Sequence, residues 1–286
     1  MRRRGSDCVA MLPHPEKFMA LKQGDLKAGE GVSIDQFTSS IRGRLSHTKG
    51  RERAEEKFTG GTLFVDHSSG YIFVQLQVSQ RAGETIIGKH LFENSARAHG
   101  VKILHYHSDN GIFALQKNFD KIVQDYHRPL TLVVLVPTIR MEWPTVLFKS
   151  SLHGHILCCC KHLWPFAVTH AVLLWNHIPR GDTSLSPIEL FSGTSFPSKS
   201  HLQLLHVWGC PVFVLYPKIQ DGRKLPKWSP CAQLGQFLDY SKDHPTSIGL
   251  IRNRSIGFVF PKLHVVHDDN FFFNSTFCPR HLIEVL

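Results

Sequence analysis

The stretch 105–114, HYHSDNGIFA, ends a strand-like run, VKILHYH (101–107), with Asp109 and then the turn-forming pair Asn110-Gly111. An acidic residue at the tip of a strand has two readings. An Asp ahead of Asn-Gly is ordinary turn chemistry, because its side chain bonds its own backbone. A carboxylate on a strand end can also serve a hard divalent ion, which takes oxygen ligands. The residues around the stretch bear on the choice.

Upstream, GVSIDQF (31–37) reads as a short strand carrying Asp35, and 38–60 reads as a charged, glycine-punctuated, solvated loop. GTLFVDHSSGYIFVQLQVS (61–79) reads as two strands joined at Ser-Ser-Gly, a hairpin. In 83–98, Ile86, Ile87, Leu91 and Ala98 recur at helical spacing, and Gly100 stops the helix. Downstream of Asp109, 113–127 repeats helical spacing through Phe113, Leu115, Phe119, Ile122, Val123 and Tyr126. HLWPFAVTHAVLLWNH (162–177) is helical, and SPIELFSG (186–193) starts a short helix with Pro187 in its first turn. The order strand, hairpin, helix, strand, helix predicts an α/β layer design with a mixed sheet. From about 200 the texture becomes short β-type runs cut by Gly, Pro and Asn, which predicts a small β-rich module. The expected organisation is a tail over 1–30, a core over 31–195 and the β-rich module over 196–286.

The chain of 286 residues is 42% apolar, enough for a real core. Its 33 Lys and Arg against 23 Asp and Glu give a formal charge of +10, and its pI is near 9.4. That balance favours a polyanionic partner, nucleic acid before membrane. No run of roughly 18 apolar residues occurs, and the basic start lacks the apolar stretch of a signal peptide. Seven Cys, three of them adjacent at Cys158, Cys159 and Cys160, make no disulfide framework. These features predict a nuclear or cytoplasmic protein that is not secreted.

On the residues alone, Asp35 and Asp109 could share a divalent-ion site or be strand and turn residues. The wording of the chain adds to this. GEGVSIDQF, GTLFVDHSSGYIFVQLQ, HGVKILHYHSDNGIFA, SPIELFSGT, HVWGCPVFVLYPKIQDGRKLPKWSP and GQFLDYSKDH together resemble the integrase region of a copia-type retrotransposon polyprotein. The resemblance implies a ribonuclease H-like fold. It implies an Asp, Asp, Glu triad that holds two Mg2+ or Mn2+ ions, processes DNA ends and joins them to host DNA. Paired ions would activate the attacking hydroxyl and stabilise the leaving oxygen. By position Asp35 looks like the first catalytic Asp and Asp109 the second, both metal ligands in the family, whereas Asp66 in the hairpin reads as structural. DNA is the implied partner, and the family oligomerises.

The third carboxylate is absent. The family's Glu closes a stretch like HHQNGVAE, and its spacing from Asp109 lands at Pro144 and Thr145 within VPTIRMEWPTVLF. The genetic code accounts for the mismatch. Read from the third base of each codon, Arg140 to Pro144 permit Asn and then force Gly, Val or Met, and Ala. Pro137 to Arg140 permit Ala-His-His-Gln, so the shifted product can be AHHQNGVA. The same shift turns Cys158 to Cys160 into part of a Met-Leu-Leu-like run, and by HLWPFAV the frame looks native again. Two compensating frameshifts, before about 131 and near 161, follow. Even the restored frame does not give Glu, because the next codon is NAC. Pro144 would cost ~3 kcal/mol inside a helix, so a loop is expected over 138–152, while LTLVVLVPTI remains β-prone.

The shifted frame also accounts for the triple Cys beside His155 and His162, so no zinc is expected there. Cys8, with Met11 where a second Cys would stand, reads as a remnant of the zinc module that precedes the core in relatives. Arg42, Arg44, Lys49, Arg51 and Arg53 form a basic stretch after Asp35, and Lys218, Arg223, Lys224 and Lys227 a second in the β-rich part. Such groups suit phosphates, and a solvated charged loop has the same composition. His105 and His107 share a strand face and read as a packed pair rather than ligands, and Cys210 as a small core residue. The expectation is an integrase-like nucleic-acid-binding fragment of a polyprotein that has lost catalysis. The alternatives are a transferase recruiting Glu142 or Asp120 as third ligand, a domesticated non-enzymatic DNA-binding protein, and a pseudogene product that is not expressed.

Overall fold

The computed structural model describes residues 26–45, 57–108, 130–132, 161–179, 184–195, 205–220, 222–224, 226–241, 244 and 248–272. Their first half builds one five-stranded sheet. The strands are β1 (Val32–Gly43), β2 (Phe58–Asp66), β3 (Ile72–Gln77), β4 (Tyr106–Ser108) and β5 (Leu130–Leu132). Their order is β3-β2-β1-β4-β5. β1, β2 and β3 pair antiparallel, while β4 joins β1 in parallel and β5 joins β4 in parallel. An antiparallel meander whose first strand carries two parallel strands on its far side is the ribonuclease H-like sheet. The mixed α/β class expected from the sequence is the observed one.

Alternation along β1 decides what faces what. Val32 and Ile34 are buried in a cluster with Phe64, Phe92, Ala96, Ile103, Tyr106 and Phe191. That cluster lies under helix α1 (Ala82–Ala98). On the opposite face Leu63, Ile72 and Val74 pack with Trp164 and Val168 of helix α2 (Trp164–His177), and Phe37 joins them. Burying one such Phe or Leu is worth about 1.5–3 kcal/mol. The Phe64–Phe92 stack, centroids 4.9 Å apart, adds about 1 kcal/mol more.

Three expectations shift. β1 runs on to Gly43 and β2 begins at Phe58, so strand replaces both ends of the loop expected over 38–60. A Cβ on Gly43 would meet Pro165 and Trp164, and Trp164 Nε1 donates to Ile41 O at 2.8 Å. The strand is thus held out to 43 by the start of α2. Of VKILHYH only Tyr106 and His107 lie in strand β4. Helix α1 exists where expected but turns a different face inward. Thr85, Gly88, Lys89, Phe92 and Ala96 are buried, whereas Ile87 and Leu91 are exposed. The buried Lys89 bonds Glu93 at 2.9 Å, and the Tyr106 hydroxyl donates to the same carboxylate at 2.9 Å. That network replaces the apolar contacts the spacing suggested. The expected helix over 113–127 and loop over 138–152 lie outside the described residues.

α2 begins with Pro165 in its first turn, where a missing N–H costs nothing. At its far end Asn176 pins the edge strand β3. Its Oδ1 accepts from Ile72 N at 2.9 Å and its Nδ2 donates to Ile72 O at 2.7 Å. Helix α3 (Pro187–Ser192) opens with a capping box between Ser186 and Glu189. A second sheet follows, made of β6 (Pro211–Leu215), β7 (Ala232–Tyr240), β8 (Gly249–Asn253), β9 (Val259–Lys262) and β10 (Val265–His267). It is antiparallel throughout, in the order β10-β6-β7-β8-β9. A short helix α4 (Pro217–Gln220) follows β6.

α2 serves both sheets. Phe166, with Leu163 just ahead of the helix, packs with Leu238 and Val259 of the second sheet. Thr169 Oγ1 donates to Asp239 Oδ2 at 2.5 Å, and His170 Nδ1 lies 3.5 Å from the other Asp239 oxygen.

Candidate active site

β1 is the strand on which the meander and the parallel strands meet, and Asp35 sits on it opposite Leu63 of β2. It is half-buried and shares the face of Ser33 and Phe37, the side on which α2 packs. Across the other edge of β1, the parallel register with β4 runs Val32 to Tyr106, Ser33 to His107 and Ile34 to Ser108. The next residue in each sequence is an aspartate, Asp35 and Asp109. Asp109 itself lies outside the described residues, as do Asp120, Glu142, His155 and Cys158 to Cys160.

One step before Asp35 on the same face, Ser33 Oγ shares a 2.6 Å hydrogen bond with His67 Nε2. The His67 ring meets His107 edge-on at 5.4 Å. Burial lowers the pKa of His67, and the neighbouring His107 adds to the shift. Burial and then His105 lower that of His107. These rings are therefore held neutral at neutral pH. His107 packs as the sequence suggested, but its ring contact is His67, a residue singled out by no spacing pattern. The signal was available only as "VDHSS" at a hairpin bend.

Asp66 is fully buried, and both of its oxygens are engaged. Oδ1 accepts from Gly29 N at 2.8 Å, and Oδ2 accepts from Ser69 N at 2.8 Å and Ser69 Oγ at 2.7 Å. Gly29 has φ +85°, and a Cβ there would lie 2.5 Å from Lys102 O. Asp66 thus ties the approach to β1 to the β2–β3 bend, which is a structural role.

The basic stretch divides. Arg42 is exposed at the end of β1. Arg44 is 8% exposed, and its Nη1 donates to Gly257 O at 2.6 Å in the second sheet's β8–β9 turn. The expectation of Arg44 as a solvent-facing phosphate contact is corrected, because its guanidinium lies inside the protein. Lys49, Arg51 and Arg53 lie outside the described residues.

Among the described residues no three of His, Cys, Asp and Glu converge on a point that could hold a metal ion. Asp35 alone does not meet the several oxygens that Mg2+ or Mn2+ requires. No helix among the described residues is long and apolar enough to cross a membrane.

The sheet order is that of a ribonuclease H-like fold, and Asp35 lies on its first strand. Its structural neighbours include the HTLV-2 integrase catalytic core domain, solved in complex with magnesium in trimeric and dimeric forms. Both forms are 19% identical to this chain and cover 58% of it, with TM-scores of 0.39 and 0.38. These matches take in 98% and 97% of the viral chains. A simian T-cell lymphotropic virus intasome, solved in complex with the PP2A regulatory subunit B56 gamma, is 14% identical. It covers 85% of this chain and 83% of its own at a TM-score of 0.40. No protein-family model and no curated protein matches the chain.

Proposed function

We propose that the chain is an integrase-like nucleic-acid-binding domain of a copia-type retroelement whose ancestral role was DNA strand transfer and which is now catalytically inactive. The supporting observation is the β1–β4 register. Two parallel strands run level from Val32 and Tyr106 to Ile34 and Ser108, and each sequence continues with an aspartate. Two-ion phosphoryl transfer needs convergent oxygens on both ions. The sequence supplies two aspartates at family positions and no Glu at the family spacing. In this reading 31–195 is the damaged core and 196–286 a β-rich module. The formal charge of +10 then serves phosphates, in the nucleus or cytoplasm.

A strand-transfer assay with Mn2+ and donor DNA ends tests the loss of catalysis. The expected result is no joined product, with salt-sensitive DNA binding that survives Asp35→Asn combined with Asp109→Asn. Joining that disappears in Asp109→Asn would overturn the reading, because a third acid would then have been recruited. Sequencing the genomic DNA over codons 125–165 tests the frame argument separately.

A further inference from the structure

The connection between β6 and β7 carries a feature the integrase reading does not use. Tyr216 N donates to Cys231 O at 3.1 Å, which closes the base of the loop. Within it, Arg223 N donates to Lys218 O at 2.9 Å, and Ser229 N donates to Pro226 O at 2.9 Å. The second bond makes Pro226–Ser229 a tight turn with Lys227 and Trp228 at its tip. Pro226 and Pro230 restrict the chain on either side. Trp228 is 89% exposed, and the Lys227 ammonium lies 5.2 Å from its ring centroid. Lys218, Arg223 and Lys224 are exposed on the same loop.

A lone exposed apolar residue is common and needs no function. A charged loop is commonly just a solvated one. The combination is different: a flat indole at the tip of a restricted turn, with a cation beside its ring and three more exposed cations earlier in the same connection. A protein partner would bury a wider apolar patch, whereas the described exposed residues flanking Trp228 in the chain are Pro226, Lys227 and Pro230. Unpaired strands are held by aromatic platforms that stack bases and by cations that track phosphates. In a duplex the bases are already stacked on one another, so the indole has no free face to meet.

We propose that the β6–β7 loop binds an unpaired DNA strand, with Trp228 stacking on a base and Lys218, Arg223, Lys224 and Lys227 contacting its phosphates. The choice of DNA rests on the function proposed above; the unpaired state rests on the ring. The test is fluorescence anisotropy of the full chain with labelled oligo-dT, a duplex of equal length and oligo-U RNA, each over a salt series. Trp228→Ala is expected to weaken oligo-dT binding on the order of tenfold with the salt slope unchanged, and Trp228→Phe to retain most of the affinity. Lys224→Ala with Lys227→Ala is expected to lower the slope by roughly 1.4 units, about 0.7 per phosphate. Duplex binding is expected to ignore Trp228→Ala. Circular dichroism of each variant should match the wild type, since the replaced side chains lie in water. Equal losses on duplex and oligo-dT, or no loss on either, would overturn the loop proposal and leave the integrase reading standing. Trp228-dependent binding of oligo-U alone would overturn both.

Discussion

Two aspartates of the first sheet, Asp35 and Asp66, differ in how deeply they are buried, and Asp→Asn at each should separate a functional carboxylate from a structural one. Asp66 accepts three hydrogen bonds at 2.7–2.8 Å in a fully buried setting. Asn at 66 keeps one acceptor for Gly29 N, but its amide then points two N–H donors at Ser69 N and Ser69 Oγ. The hydroxyl can rotate and accept; the Ser69 backbone N–H cannot, and it is left without an acceptor. A buried donor stranded in this way costs about 1–3 kcal/mol, and the lost charge assistance on the remaining bond about 1 kcal/mol more. The expected loss is therefore about 3 kcal/mol. At a urea slope of about 2 kcal/mol/M the midpoint falls by roughly 1.5 M.

Asp35 is half-buried on the α2 face of β1, opposite Leu63. Asp35→Asn is expected to cost clearly less than Asp66→Asn, because Asp35 is half-buried whereas Asp66 is fully buried. Paired urea titrations of the two variants give the comparison. If Asp35→Asn costs as much as Asp66→Asn, Asp35 is holding the sheet together and its assignment as an ancestral ion ligand fails. Ser69→Ala on the Asp66→Asn background should add much less than it does alone, since both act on one network.

Asn176→Ala removes both bonds to Ile72 and should cost about 2–4 kcal/mol, read by chemical denaturation; a loss below about 1 kcal/mol would mean water replaces the amide at that edge. Glu93→Gln should lower the thermal unfolding midpoint, because it removes the negative charge 2.9 Å from the buried Lys89 ammonium; an unchanged midpoint would show that this carboxylate is not what holds Lys89 in place. Burial, with His206 stacked against it at 3.5 Å, lowers His267 from 6.5 to about 4. A depressed histidine takes up its proton in the unfolded chain first, so its contribution is complete above pH 6.5 and is lost as pH falls from there toward 4. His267→Gln should flatten the stability profile in that window in a pH series of unfolding midpoints, and an unaltered profile would refute it.

The parts of the fold that could be read in advance are those whose sequence carries a local physical reason. The hairpin showed in the alternation on both sides of Ser-Ser-Gly, α2 in its apolar length with Pro165 at the start, and α3 in Pro187. Where a side chain's role depends on a distant partner, local pattern misled. Ile87 and Leu91 looked like the inner face of α1, yet Phe64 and Gln75 on β2 and β3 select Phe92 and Gly88 instead. Arg44 looked like a loop cation, yet its acceptor, Gly257 O, lies 213 residues away in the chain. The candidate site divides the same way. The strand position of Asp35 was legible because a strand pattern surrounds it, and Asp35 lies on β1. His67, whose partners Ser33 and His107 come from two other strands, was not visible at all. Codons carry a third kind of information, one that side chains do not. Local physics still reads the head of that stretch, where the β-prone Leu130–Leu132 forms β5, while 133–160, with Pro144 and the three adjacent Cys, lies outside the described residues.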